Sequence, residues 1–322
     1  MIGKVSPEVL EEYVFNRVGA EDESVQVGPA YGEDTAAIDL GDIVLVINSD
    51  PIIYAADRIG TLGVNIASND IVASGAEPKW LTVTYLLPDR EENYLDKITK
   101  QVDRISKDLG IAIVGGHSEY VPDIERPFLS LTCLGVTDRY ISTGGVKPGD
   151  KLILTKGAGV EATGILATDF REELEEKVSA ELLNQGAERL TQLSVLPEGL
   201  ILNDYANAMH DPTEGGVIDG LFEMASASGL TLEVDRQEII ISSDTEQICG
   251  AAGVDPLKVF GSGALLASVP EDKSRKALNE LRNRGVVASV IGEAKSTGES
   301  PLKVDGETFR EPIRDQLYDL WD

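Results

Sequence analysis

The chain has 322 residues, 42% of them hydrophobic, and its 28 basic against 56 acidic side chains leave a formal net charge of −28. So acidic a surface repels nucleic-acid backbones and anionic membranes, which excludes both as natural partners. No apolar run approaches the roughly 18–20 residues of a membrane span, and Met1-Ile2-Gly3-Lys4 does not open a signal peptide. Length and a mean hydropathy of −0.07 fit a soluble protein of two ordinary domains. The acids are dispersed rather than gathered in a tail, as expected of halophilic adaptation to a salt-rich cytoplasm. Cys133 and Cys249 lie far apart without metal-ligand or disulfide spacing, which suits a reducing cytoplasm.

In chain order, the first distinctive segment is the Gly- and Pro-interrupted loop from Val27 to Gly32-Glu33-Asp34. Its amides could fold over phosphates while Asp34 reaches a cation; an acidic surface turn is the plainer reading. Ile43 to Ile47 reads as a strand covered on both faces, ending in Asn48-Ser49-Asp50, which either delivers side chains into a crevice or simply makes a turn. A buried helix is expected from about Asp57 to Ser74. Asn69-Asp70 falls in its middle, where an aspartate is a poor helix former and costly to bury without a cation or hydroxyl partner.

Trp80 to Leu87 reads as a strand, and Tyr94, Ile98, Val102, Ile105 and Leu109 recur as the stripe of an amphipathic helix. Ile111 to Val114 is a strand expected to end in Gly115-Gly116-His117-Ser118-Glu119, whose glycines would let the backbone pass close to a ligand. Phe128 to Val136 is another strand, with Cys133 in its core. A turn at Lys147-Pro148-Gly149-Asp150 places a domain boundary near residue 145, giving domains 1–145 and 146–322.

Beyond it come a strand at Lys151 to Thr155 and a charge-rich helical stretch from Arg171 to Leu193. His210-Asp211-Pro212-Thr213-Glu214-Gly215-Gly216 then opens a helix through Ser226. Asp211 or Thr213 could cap that helix, and the same helix start would attract an anionic group. Strands follow at Leu230 to Val234, Ala264 to Val269 and Val286 to Ile291, with a helix from Asp272 to Arg284. The order is that of an α+β protein in two mixed halves. Carboxylates beside small residues, repeated in five clusters, are what a protein needs to hold a metal-bound polyphosphate.

In this order the clusters resemble the aminoimidazole ribonucleotide synthetase (PurM-like) superfamily over nearly the whole chain. Within it, Gly63 to Ala76, His210 to Gly216 and Gly253-Val254-Asp255-Pro256-Leu257 are similar to the hydrogenase-maturation HypE subgroup. The resemblance implies a two-domain fold whose N-terminal, ATP-binding half dimerises through a shared β-barrel, with a C-terminal α/β sandwich. It implies ATP and Mg²⁺ as cofactors and a homodimer in the cytoplasm. By position, Asp34, Asp50 and Asp70 would be the metal and phosphate carboxylates. Gly32, Asn69, Gly115, Gly116 and His117 would line the nucleotide. Asp70, His117, Glu119 and Asp211 would position the acceptor or move a proton, with Asp211 and its glycines bordering the acceptor pocket.

One departure narrows the expectation. HypE-type chains end in Pro-Arg-Ile-Cys, whereas Pro312-Ile313-Arg314 stands here with no cysteine among residues 310–322. Thiocarbamate chemistry needs that sulfur. The expected activity is therefore ATP-dependent phosphorylation of an acceptor oxygen other than a C-terminal thiocarbamate. The alternative is a nucleotide-binding maturation or regulatory partner without catalysis of its own.

Overall fold

The structure, a computed structural model, describes residues 4–53, 57–88, 92–296 and 301–321. The first half is organised by the strand Phe128–Thr137, along which half-buried and buried residues alternate strictly. That period of two puts Leu129, Leu131 and Cys133, all fully buried, on one face. This strand, β6, lies inside a six-stranded sheet of order β1-β2-β3-β6-β4-β5. The others are β1 (Val25–Val27), β2 (Ala36–Asp39), β3 (Val44–Ile52), β4 (Glu77–Leu87) and β5 (Ala112–Tyr120). All neighbours are antiparallel except β4 and β5.

A short helix α1 (Pro7–Leu10) precedes the sheet, and α2 (Ile59–Ala73) and α3 (Glu92–Leu109) join its strands. Fourteen of the fifteen residues of α2 are buried, because it is covered by the sheet, by α3 and by the second half of the chain. The aliphatic stripe of α3 points inward as its spacing predicts, with Ile98 and Val102 buried.

The second half is built on a seven-stranded sheet of order β13-β12-β9-β11-β7-β10-β8. Its strands are β7 (Lys151–Thr155), β8 (Ala208–His210), β9 (Thr231–Val234), β10 (Leu266–Val269), β11 (Ala288–Lys295), β12 (Leu302–Val304) and β13 (Glu307–Phe309). Its helices are α4 (Val160–Asp169), α5 (Arg171–Leu174), α6 (Ala180–Glu188), α7 (Leu196–Leu202), α8 (Gly216–Ser228), α9 (Ser243–Ala252), α10 (Glu271–Asn283) and α11 (Tyr318–Trp321). The single charge-rich helix expected from Arg171 to Leu193 is thus three short pieces, α5, α6 and a 3₁₀ turn. Ser179 interrupts it by capping α6 with its side-chain oxygen on the Leu182 amide. Cys249 is buried in α9.

The two halves share one continuous apolar core that runs from α2 into α4, α6 and α11. Polar contacts reinforce the junction: Arg139 donates to the carbonyls of Asn203 and Ala206, and Asn203 donates to that of Gly75. No helix of the described residues is long and apolar enough to cross a membrane.

Candidate metal centre

Three of the clusters meet at the junction of the halves. Asp34 comes from the loop between β1 and β2, which is clamped on both sides. On one side Glu33 accepts from Tyr140 Oη at 3.0 Å and from Ser142 Oγ; on the other Thr35 Oγ1 lies 2.7 Å from Ser74 Oγ at the end of α2. Asp70 comes from the fourth turn of α2, and Asp211 follows β8. One carboxylate oxygen from each of these three lies within 4.8 Å of the other two.

Asp211 is 1% exposed, and among the described residues neither of its oxygens accepts a hydrogen bond. Its close polar neighbour is the Asp70 carboxyl, which can help only when one of the two carries a proton. Burial and the nearby Asp34 charge push Asp211 up to about 8. Burial, and then the charges of Asp211, Asp50 and Asp34, drive Asp70 well above the ordinary carboxylate range. Three carboxylates so placed carry more negative charge than one neighbouring histidine offsets, and a hard divalent ion with oxygen ligands fits them.

Asp50 is close but not a member of this triangle. The strand β3 does not stop at Ile47 but runs to Ile52, paired with β6 so that Asn48 faces Cys133 and Asp50 faces Leu131. Alternation puts Asn48 and Asp50 on the same face, and Asn48 Nδ2 donates to Asp50 Oδ2 at 2.7 Å and to Asp70 Oδ2 at 2.6 Å. Of the two readings of this segment, strand end or turn, the turn fails, because the ladder continues through it, and Asn48 is the brace that orients Asp70. Burial raises Asp50 as well.

Asn69, expected to line a nucleotide, is fully buried facing the other way. It donates to Leu193 O at 2.9 Å and accepts from Val195 N at 3.0 Å, tying α2 to the second half. A mid-helix polar pair thus splits its duties, because neighbouring helix positions point about 100° apart.

The Gly115-Gly116-His117-Ser118-Glu119 segment is likewise not a turn. It continues β5, every residue of which is exposed. Gly116 has φ +148°, and a Cβ there would lie 1.9 Å from Val83 O, so the irregular β4–β5 pairing requires glycine for backbone reasons. His117 Nε2 is 3.3 Å from Glu119 Oε2, both more than 60% exposed, and neither contacts the acid centre within this chain.

Two members of the site had no role from sequence reasoning: His210, named only as part of its cluster, and Glu223, which was not singled out. His210 is 1% exposed, with Nδ1 2.8 Å from Asp34 Oδ2 and Nε2 2.9 Å from Glu223 Oε2. Glu223 in turn lies 3.2 Å from Lys4 Nζ. Burial opposes a charged ring, but the two carboxylates outweigh it and hold His210 well above the usual histidine range. Burial also opposes the Glu223 charge; Lys4 and His210 outweigh it and bring Glu223 down to about 2. The signal was available: Asp219 and Glu223 are acids in the otherwise apolar run Gly216–Ala225, the same anomaly that marks Asp70. The start of α8 is set by Gly216, at φ +63°, where a Cβ would lie 2.4 Å from Val259 O.

Two mixed sheets packed through one core, with an acidic centre assembled from both, define a two-domain α+β protein of the PurM-like fold. The chain belongs to the AIR synthase related family: the family's N-terminal domain matches residues 32–137 and its C-terminal domain residues 147–305. It is 29% identical to a putative hydrogenase expression/formation protein of Methanocaldococcus jannaschii, over 91% of this chain and 88% of that one. It is 27% identical to the carbamoyl dehydratase HypE of Rhodobacter capsulatus, over 91% and 86%. Among solved structures, ThiL complexed with AMPPCP and TMP superposes with a TM-score of 0.77 at 21% identity, covering 97% of both chains. The hydrogenase maturation protein HypE in complex with ATP gives 0.70 at 21% identity, covering 97% of this chain and 95% of that one. At these identities the solved structures establish the fold.

Proposed function

We propose that the protein is an ATP-dependent enzyme that holds Mg²⁺ on Asp34, Asp70 and Asp211 and phosphorylates an oxygen of an acceptor. The observation that carries this reading is Asp211, a buried carboxylate without a hydrogen-bond donor, set against two further carboxylates. A bound Mg²⁺ supplies the positive charge that offsets a polyphosphate as phosphoryl transfer proceeds. Asn48 keeps Asp70 turned toward the centre, and His210 does the same for Asp34. The ligand set differs from Asp34, Asp50 and Asp70 in that Asp211 replaces Asp50, which stands behind as the second acceptor on Asn48. The ATP-analogue and ATP complexes of the ThiL and HypE structures support nucleotide as the partner of the metal.

The protein acts as a homodimer in this reading. Among the described residues β5 leaves one edge of the first sheet unpaired, with Ile113, Val114 and Tyr120 exposed along it. An apolar open edge invites a second copy. Pairing there would carry Gly115, His117 and Glu119 toward the partner's nucleotide. The test is calorimetric titration with ATP, with and without Mg²⁺, in molar KCl, beside phosphate release. Mg²⁺-dependent binding that is lost in Asp70→Asn is expected; folded protein that binds no ATP would overturn the proposal. Tight binding without turnover on any acceptor would leave the nucleotide-binding partner protein.

A further inference from the structure

A cavity of about 510 Å³ lies behind the acid centre, closed by the N-terminal segment around α1, the Ala30–Glu33 loop, α8 and the chain before α11. Its volume is that of a small-molecule site. The wall it shares with the acid centre is Glu223, whose carboxylate contacts His210, which contacts Asp34. Much of the lining is apolar or aromatic, including Leu10, Phe15, Tyr31, Ile313 and Tyr318.

The charged groups on the wall are unevenly matched. Of the two basic residues, Lys4 is committed to Glu223 and Glu214 at 3.2 and 3.7 Å, and Arg314 pairs with Asp319 and lies 5.7 Å over the Tyr318 ring. Asp315 has its oxygens on the amides of Gly215 and Leu317. Asp219 is different. It is 2% exposed, one oxygen takes the Ile313 amide at 2.9 Å, and among the described residues no lysine, arginine or histidine lies within ion-pair distance of it. A buried acid whose neighbouring cations, Lys4 and His210, are in direct contact with other carboxylates, on the wall of a cavity lined by aromatic rings, suits a cation brought by a ligand.

We propose that this cavity binds the acceptor, and that it selects a small molecule with an apolar body and an ammonium or amidinium head placed against Asp219. Calling the ligand an acceptor rests on the ATP-dependent reading above; the cation selectivity does not. The environment of Asp219 agrees: burial and the Glu223 charge outweigh the pull of Lys4, the Ile313 amide and His210 and raise it to about 7, and a ligand cation in contact with it would offset that excess. The fixed tail sharpens the point. Ile313 is tied to Asp219 and Gln316 donates to Lys258 O, while Leu317 and Tyr318 are buried beside Phe260. Residues 313–318 therefore stand as a wall of the cavity and do not fill it.

The probes are benzamidine and its neutral and anionic isosteres, benzamide and benzoate, titrated calorimetrically into the wild-type protein in 0.5 M KCl. Benzamidine is expected to bind at least about tenfold more tightly than benzamide, and benzoate not to bind. In Asp219→Asn, whose amide oxygen can still accept from Ile313, that preference should fall to about twofold or less. Equal binding of benzamidine and benzamide by the wild type, or no binding of any probe, would overturn the proposal. So would a preference unchanged in the variant, since general attraction to an acidic surface predicts that result. Mg²⁺-ATP is titrated into the same samples. Nucleotide binding without probe discrimination refutes the cavity alone; discrimination without nucleotide binding refutes the ATP-dependent reading alone.

Discussion

Replacing Asp211 by asparagine should make the metal-free protein more stable while removing its response to Mg²⁺. The side chains are nearly isosteric, so the change is electrostatic. In the metal-free state Asp211 must either carry a buried charge beside two others or hold a proton, and its pKa of about 8 says that it holds the proton. Keeping a carboxyl of ordinary pKa 3.8 protonated at pH 7 costs about 4 kcal/mol, at 1.36 kcal/mol for each of the roughly three intervening pH units. That is a ceiling, because Asp34 and Asp70 share the strain. The floor is about 1 kcal/mol, the cost of one unsatisfied buried polar group. At about 2–4 °C per kcal/mol for a protein of this size or somewhat smaller, melting in EDTA should rise by several degrees. Thermal unfolding in EDTA and in MgCl₂ reads both halves of the claim. Wild type should gain stability with Mg²⁺, and Asp211→Asn little or none. A variant that melts lower than wild type in EDTA, or that keeps the full Mg²⁺ response, would refute the reasoning.

Two further outcomes are expected. Glu161, 3% exposed in the first turn of α4, is raised by burial from 4.5 to about 7. The folded state therefore holds its proton more tightly than the unfolded one, and stability falls as pH rises from 4.5 through 7. Glu161→Gln should remove up to about 3 kcal/mol of that loss, with the gain seen at pH 8 and shrinking toward pH 5 in urea unfolding. A gain equal at both pH values would show that burial of the charge is not its source. At the open edge, Val114→Glu puts a charge on a 58% exposed valine of β5 and should turn a dimer into a monomer by light scattering. An unchanged mass in the variant would place the contact between copies elsewhere.

The chain itself determined the alternation of elements and the places where chemistry concentrates. Apolar runs, the stripe of α3 and the polar pair in α2 were legible because they follow from local periodicity and from the cost of burying an acid. What local pattern could not reveal was where each strand stops. Asn48 to Pro51 and Gly115 to Glu119 have turn-like composition, yet both continue strands, since pairing with β6 and β4 satisfies their backbone across the sheet. Nor could it assign partners. Asn69 and Asp70 are adjacent in sequence and serve different faces of α2. Asp211 and His210 acquire meaning only from Asp34 and Asp70, more than a hundred residues earlier, and from Glu223 one helix later. Coulomb energy and desolvation depend on distance in space and not along the chain, so the charge state of these acids, and the cation they call for, were decided by the tertiary structure.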